Sequence, residues 1–179
     1  MNRPKTISKE YLAAQKELHR DPYYGKAAEV YAPLVADIFR KTGARSISDY
    51  GAGKKSLLGA LFGLGIRDFS YHPYDPAFPE YGKPEPADLV CCIDVLEHIE
   101  LPFIEAVLHD LRSITPKVGF FSIATRPARK VLPDGRNAHL IQKPSSWWLP
   151  KLCANFEIYQ LATESGHGFW VIAEPRKVK

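Results

Sequence analysis

Cysteine is scarce in this 179-residue chain: three occur, with Cys91 and Cys92 side by side in an apolar run and Cys153 far from both. That excludes a disulfide framework and a CxxC metal pair, and it suits a reducing compartment, so a cytoplasmic location is expected and no metal is. Long apolar runs are missing too. Stretches such as Leu57 to Leu64 are broken by glycine or polar residues well short of the roughly 20 residues a bilayer span needs, and the basic start, Met1 to Lys5, leads into a polar helical pattern rather than an apolar signal region. No membrane partner is expected. Neither sign of charge dominates: a formal net charge of +4 leans only weakly toward anionic partners and does not diagnose nucleic-acid binding. Internal repeats and low-complexity tracts are absent. What remains is 45% hydrophobic and 25% charged, the balance of a globular protein. The length suits one core rather than two, so 1–179 reads as a single domain, with N-terminal helices over 1–43 and a core over 44–179.

Periodicity then places the elements. Ser8 precedes a helical pattern from Lys9 to His19, with Tyr11, Leu12, Gln15 and Leu18 at helical spacing. A second helix is expected over Ala27 to Thr42, stopped by Gly43, with Pro33 marking a kink or a later start. From there strands and helices alternate: strand Ile47 to Tyr50, helix Ser56 to Leu64, strand Asp68 to Tyr74, strand Asp88 to Ile93, helix Pro102 to Ile114, strand Val118 to Ala124. A polar, proline-containing segment up to Lys143 looks too irregular for the core. After a short helix from Ser145 or Ser146 to Leu152, strands Phe156 to Ala162 and Phe169 to Ala173 form a hairpin. This order predicts an α/β fold with a Rossmann-like open sheet, mostly parallel, closed by an antiparallel C-terminal hairpin.

Two features point to a nucleoside-like ligand. Asp49-Tyr50-Gly51-Ala52-Gly53-Lys54-Lys55 sits where the first strand turns into a helix, and there glycines let a ligand approach the backbone closely. Asp75 ends the next strand, where a carboxylate can accept hydrogen bonds from ribose hydroxyls. On these residues the chain resembles the class I, Rossmann-like S-adenosylmethionine-dependent methyltransferases, whose first motif reads D-x-G-x-G-x-G. Lys55 replaces the third glycine of that pattern. A dinucleotide enzyme is the competing reading, but G-x-G-x-x-G is absent. A second stretch, Ala87 to Ile99 with Asp94-Val95-Leu96-Glu97-His98, is similar to the fourth strand and following turn of small-molecule and lipid-quinone methyltransferases. The resemblance implies S-adenosylmethionine as cofactor and S-adenosylhomocysteine as product. It implies contacts from Asp49, Tyr50, Gly51, Ala52, Gly53, Asp75 and Pro76, and places Ile93 and Asp94 at the cofactor's amino group with His98 nearby.

Only a short, proline-rich stretch separates Asp75 from Asp88, too little for a crossover helix and another strand. The family's third strand and its helix are therefore expected to be missing, which leaves six strands and a more open adenine pocket walled by Pro76, Ala77 and Phe78. The basic run Arg126 to Trp148 should overhang the carboxyl ends of the strands, where ligands bind in such sheets. Its Asn137-Ala138-His139-Leu140 ahead of a tryptophan-bearing helix resembles small bacterial and phage methyltransferases. His139 is the candidate general base, with His98 beside it, and Arg126, Arg136, Asn137 and Trp147 are candidate acceptor contacts. The competing readings are a loop-fixing role for His139, a structural hydrogen bond for His98, core cover for Trp147 and solvated loop charge for the arginines. The N-terminal helices are candidates for a lid, with Gln15, His19, Tyr23 and Tyr24 best placed to close it. The expected activity is methyl transfer to an oxygen or nitrogen of a small or anionic acceptor. A nucleic-acid methyltransferase and a non-catalytic binding protein of the same fold stand as alternatives.

Overall fold

The computed structural model describes residues 4–176, so the first and last three residues, including part of the basic start, lie outside it. Six strands form one sheet: β1 (Ser46–Tyr50), β2 (Ser70–Tyr74), β3 (Leu89–Ile93), β4 (Val118–Ala124), β5 (Phe156–Glu164) and β6 (Gly168–Pro175). Their order is β2-β1-β3-β4-β6-β5. The first four run parallel, and β6 lies antiparallel between β4 and β5. The expected architecture holds, including the missing strand: between Tyr74 and Leu89 the chain makes only a 3-10 turn, Pro79–Tyr81. Prolines there have no N–H to give a ladder.

Among the described residues five α-helices accompany the sheet: α1 (Lys9–Leu18), α2 (Ala27–Thr42), α3 (Ser56–Gly63), α4 (Ile104–Ile114) and α5 (Ser145–Asn155). The central strands β3 and β4 are buried along their whole length, as strands covered on both faces must be; β3 is an unbroken apolar run, and β4 is interrupted only by the buried Ser122. Neighbouring residues of β4 point to opposite faces. Phe120 therefore packs with α2 and α3 residues such as Val35 and Leu57, while Phe121 packs with Leu108 of α4 and Trp148 of α5. Burying each such aromatic contributes on the order of 1.5–3 kcal/mol.

Local departures from the expected boundaries have local causes. α2 runs unbroken through Pro33, whose missing N–H leaves only the carbonyl of Glu29, in the exposed first turn, without its helical donor. Gly43 then stops the helix in a left-handed conformation, its N–H donating to the Arg40 carbonyl. β2 starts at Ser70 because Asp68 adopts φ 58° and breaks the extended chain. The segment between β4 and α5, expected to be irregular, folds a small hairpin in which Val131 bridges to Asn137. It supplies Leu132 and Ala138, and Tyr11 of α1 packs on both. The two N-terminal helices thus separate: α2 belongs to a layer on the sheet, whereas α1 rides on the β4–α5 segment.

Candidate active site

The carboxyl ends of β1, β2, β3 and β4 open into a cavity of about 310 Å³. Its floor is the turn after β1. Gly51 has φ 84° and its amide donates to the Tyr74 carbonyl, which draws the turn against the end of β2. A Cβ at Gly51 would lie 2.3 Å from Val95 Cγ2, so a larger side chain has neither the backbone angle nor the room. Lys55, at the third position of the glycine pattern, also adopts a left-handed conformation (φ 59°). The turn makes the demand a glycine would meet, and Lys55 meets it with its ammonium 4.3 Å from the centroid of the Tyr81 ring. Tyr81 in turn donates to the Gly53 carbonyl at 2.9 Å, which ties the shortened β2–β3 connection to the turn.

Three carboxylates face this end of the cavity. Asp75 accepts from the Gly53 amide at 3.0 Å and the Ala77 amide at 2.8 Å, so two backbone bonds orient it. Asp49 accepts from the Tyr71 hydroxyl, and burial pushes its pKa up to about 7. Asp94 ends β3 at φ 51°, an angle aspartate tolerates better than most residues. Its amide donates to the Ser122 hydroxyl at 3.0 Å, and burial raises its carboxyl above the usual range. His19 roofs the turn: a Cβ on Gly53 would meet its Cε1 at 3.2 Å. Its Nε2 lies 3.8 Å from Asp75, beyond a hydrogen bond, and burial lowers its pKa while the Asp75 charge raises it.

No family model and no curated protein sequence matches the chain. Solved structures do. An N1-methyltransferase of 1,6-didemethyltoxoflavin from Burkholderia thailandensis, crystallised with that compound and S-adenosylhomocysteine, superposes at TM-score 0.63 over 99% of this chain and 94% of its own, at 16% identity. DhpI in complex with S-adenosylhomocysteine gives TM-score 0.54 over 94% and 98% of the two chains, at 14% identity. The methyltransferase domain of bacterial CtHen1 gives 0.56 over 80% and 97%, at 15% identity. The chain has the class I methyltransferase fold.

Within that methyltransferase fold the expected cofactor residues Asp49, Gly51, Ala52, Gly53, Asp75, Pro76, Ile93 and Asp94 all line the cavity. Tyr50 does not. Strand alternation turns its side chain into the opposite layer, where its hydroxyl donates to Asp110 at 2.9 Å and its ring packs on Tyr74. Of the lid candidates, Gln15, His19 and Tyr24 line the cavity, whereas Tyr23 is 80% exposed and points away.

The acceptor candidates divide. Arg126 and His139 line the cavity, and His98 meets His139 edge to face with ring centroids 4.7 Å apart. Burial drives the His98 pKa down to about 3, so this imidazole is neutral. Arg136 is held away by Asp134, whose carboxylate it grips through Nε at 2.8 Å and a terminal nitrogen at 2.7 Å. Asn137 works inside its loop: its Oδ1 accepts from the amides of Ala128 and His139, each at 2.9 Å, and so sets the position of His139. Trp147 sits on α5 against Trp148 and beneath the Lys151 ammonium, remote from the cavity. Sequence reading missed Tyr31 and Glu164, which meet through a 2.8 Å hydrogen bond at the cavity rim. They lie on α2 and β5, and no local pattern marks residues that only the tertiary fold brings together.

Proposed function

We propose that the chain transfers a methyl group from S-adenosylmethionine to an oxygen or nitrogen of a small or anionic acceptor, in the cytoplasm. The observation that carries this reading is the distribution of charge in one cavity. Asp49 and Asp75 line it beside the glycine turn and Asp94 lines it at the end of β3, while Arg126, Arg129 and Lys130, the last paired with Asp21, line it from the segment after β4. A cationic sulfonium with a ribose diol suits the acidic side, and an anionic acceptor suits the basic one.

The residues present fit the cofactor. Asp75, oriented by two backbone amides, has lone pairs left for ribose hydroxyls. Pro76 and Ala77 offer an apolar wall for the adenine, and Asp94, held by Ser122, faces the place of the amino group. When bound, the sulfonium supplies an activated methyl that needs only a nucleophile in line with the carbon–sulfur bond. The chain's part is then positional. Arg126 draws the acceptor in, and the packed roof of His19 and Tyr24 keeps water from the donor end.

Titration of the purified protein with S-adenosylhomocysteine in a calorimeter tests the reading: micromolar binding is expected, and a folded protein without detectable binding refutes it. Incubation with labelled methyl donor and fractionated cell extract then shows whether label enters metabolites, as expected, or nucleic acid.

A further inference from the structure

Beyond the carboxyl ends of β3 and β4, two adjacent side chains meet a third from the β4–α5 segment. Glu97, His98 and His139 each offer one ligand atom, and these atoms all lie within 4.8 Å of one another. Each has its remaining polar atom occupied. Glu97 is fully buried: its Oε1 accepts from the Ala124 amide at 2.9 Å, and its Oε2 is buried without a hydrogen-bond partner. The Nδ1 of His139 lies 2.6 Å from the Arg126 carbonyl. A carbonyl only accepts, so that nitrogen carries the proton and Nε2 is left with a lone pair. His98 bonds the Ala138 backbone, while its Nδ1 is buried without a partner.

Buried polar atoms left without a partner are costly, at about 1–3 kcal/mol each. No protein donor among the described residues meets the free atoms of Glu97 and His98. One cation would satisfy all three side chains. The ring separation is compatible with a shared ion: imidazoles bound at about 2.1 Å per nitrogen have centroids roughly 4.6 Å apart at a right angle and roughly 5.3 Å apart at a tetrahedral one, against the 4.7 Å found here. The Ala124 amide and the Arg126 and Ala138 carbonyls form the outer hydrogen bonds that fix ligand orientation in metal sites.

We propose that Glu97, His98 and His139 bind a divalent transition-metal ion at the acceptor end of the cavity. Two imidazoles and one carboxylate suit manganese, iron, cobalt or zinc rather than magnesium or calcium, and leave coordination positions open. Its catalytic role rests on the methyltransferase reading. An acceptor hydroxyl taking an open position loses its proton to water more readily. The oxygen lone pair then forms the bond to the methyl carbon as the carbon–sulfur bond breaks, and the bonding pair stays on sulfur as a neutral thioether. The acceptor atom is therefore an oxygen.

The test uses the full chain, stripped with a chelator and dialysed against cobalt(II), with visible absorption as the readout. One equivalent of bound cobalt with ligand-field bands is expected. His139→Ala, in a surface loop, and Glu97→Gln, which keeps the shape, should each weaken binding at least about tenfold, while His109→Ala on the exposed face of α4 should leave it unchanged. Thermal unfolding confirms that each variant is folded. Substoichiometric cobalt, or equal affinity in the parent and His139→Ala proteins, overturns the site. A parallel titration with S-adenosylhomocysteine separates the two ideas: thioether binding without cobalt binding sinks only the ion site, and cobalt binding without thioether binding sinks only the methyltransferase reading.

Discussion

Gly51→Ala is the sharpest probe of the turn on which the cofactor reading depends. Two penalties act at this position. An alanine held at φ 84° carries about 1–2 kcal/mol of backbone strain. Its Cβ would also lie 2.3 Å from Val95 Cγ2 and 3.0 Å from Cγ1, an overlap of the kind that costs roughly 1–3 kcal/mol when neighbours must shift. The sum is about 2–5 kcal/mol, which for a chain of this length lowers Tm by roughly 4–20 °C. Urea denaturation of the parent, Gly51→Ala, Val95→Ala and the double variant resolves the two parts. Val95→Ala alone removes two methyl groups, worth about 1.6 kcal/mol if buried, and in the double variant the steric part vanishes while the backbone part stays. The cycle should therefore show a favourable coupling of about 1–3 kcal/mol. A Gly51→Ala protein within about 0.5 kcal/mol of the parent, or a cycle without coupling, would refute the picture of a turn locked against Val95.

Other outcomes follow from the same end of the cavity. Asp75→Asn should weaken S-adenosylhomocysteine binding about 10- to 100-fold in calorimetry, since a hydrogen bond to a charged group is worth about 1.5–3 kcal/mol and each 1.4 kcal/mol is tenfold. Asp49 has a folded pKa near 7, above the unfolded 3.8, so the folded state holds the proton more tightly. Its contribution to stability is fully present below about pH 4 and is lost as pH rises toward 7. Asp49→Asn should remove that component from the pH dependence of urea midpoints, and an unchanged profile would show that the carboxyl titrates normally. Lys55→Gly should leave stability within about 1 kcal/mol: relief of left-handed strain of about 1–2 kcal/mol is set against the lost contact with Tyr81, about 0.5–1 kcal/mol, and the greater chain entropy of glycine. Thermal melts check this.

The fold was legible because its signals are local. Apolar runs at β3 and β4, glycines after β1 and Gly43 after α2 each act through their own backbone neighbourhood, and the prolines between Asp75 and Asp88 were enough to remove a strand. Half of the cavity could be read for the same reason, since Asp49, the glycines and Asp75 lie at the ends of adjacent strands. The acceptor side was harder. Arg136, Asn137 and Trp147 share the basic segment with Arg126 and His139, but a hairpin around Pro133-Asp134-Gly135 decides which of them face inward, and its register rests on Leu132 and Ala138 meeting Tyr11 of α1. The convergence of His139 on Glu97 and His98 depends on that same long-range packing. Spacing alone therefore gave no hint of a shared ligand site, and no metal was expected.

Losing a strand beyond β2 leaves the sheet with a bare margin there, and β5 forms the other. Such margins are templates for unwanted pairing between molecules. Pro73 sits within β2 and deletes one donor from that rim, while the register slips between Ile158 and Gln160 on β5, where a bulge interrupts the straight run. Two small irregularities, one at each border, thus leave neither rim a straight template for another strand.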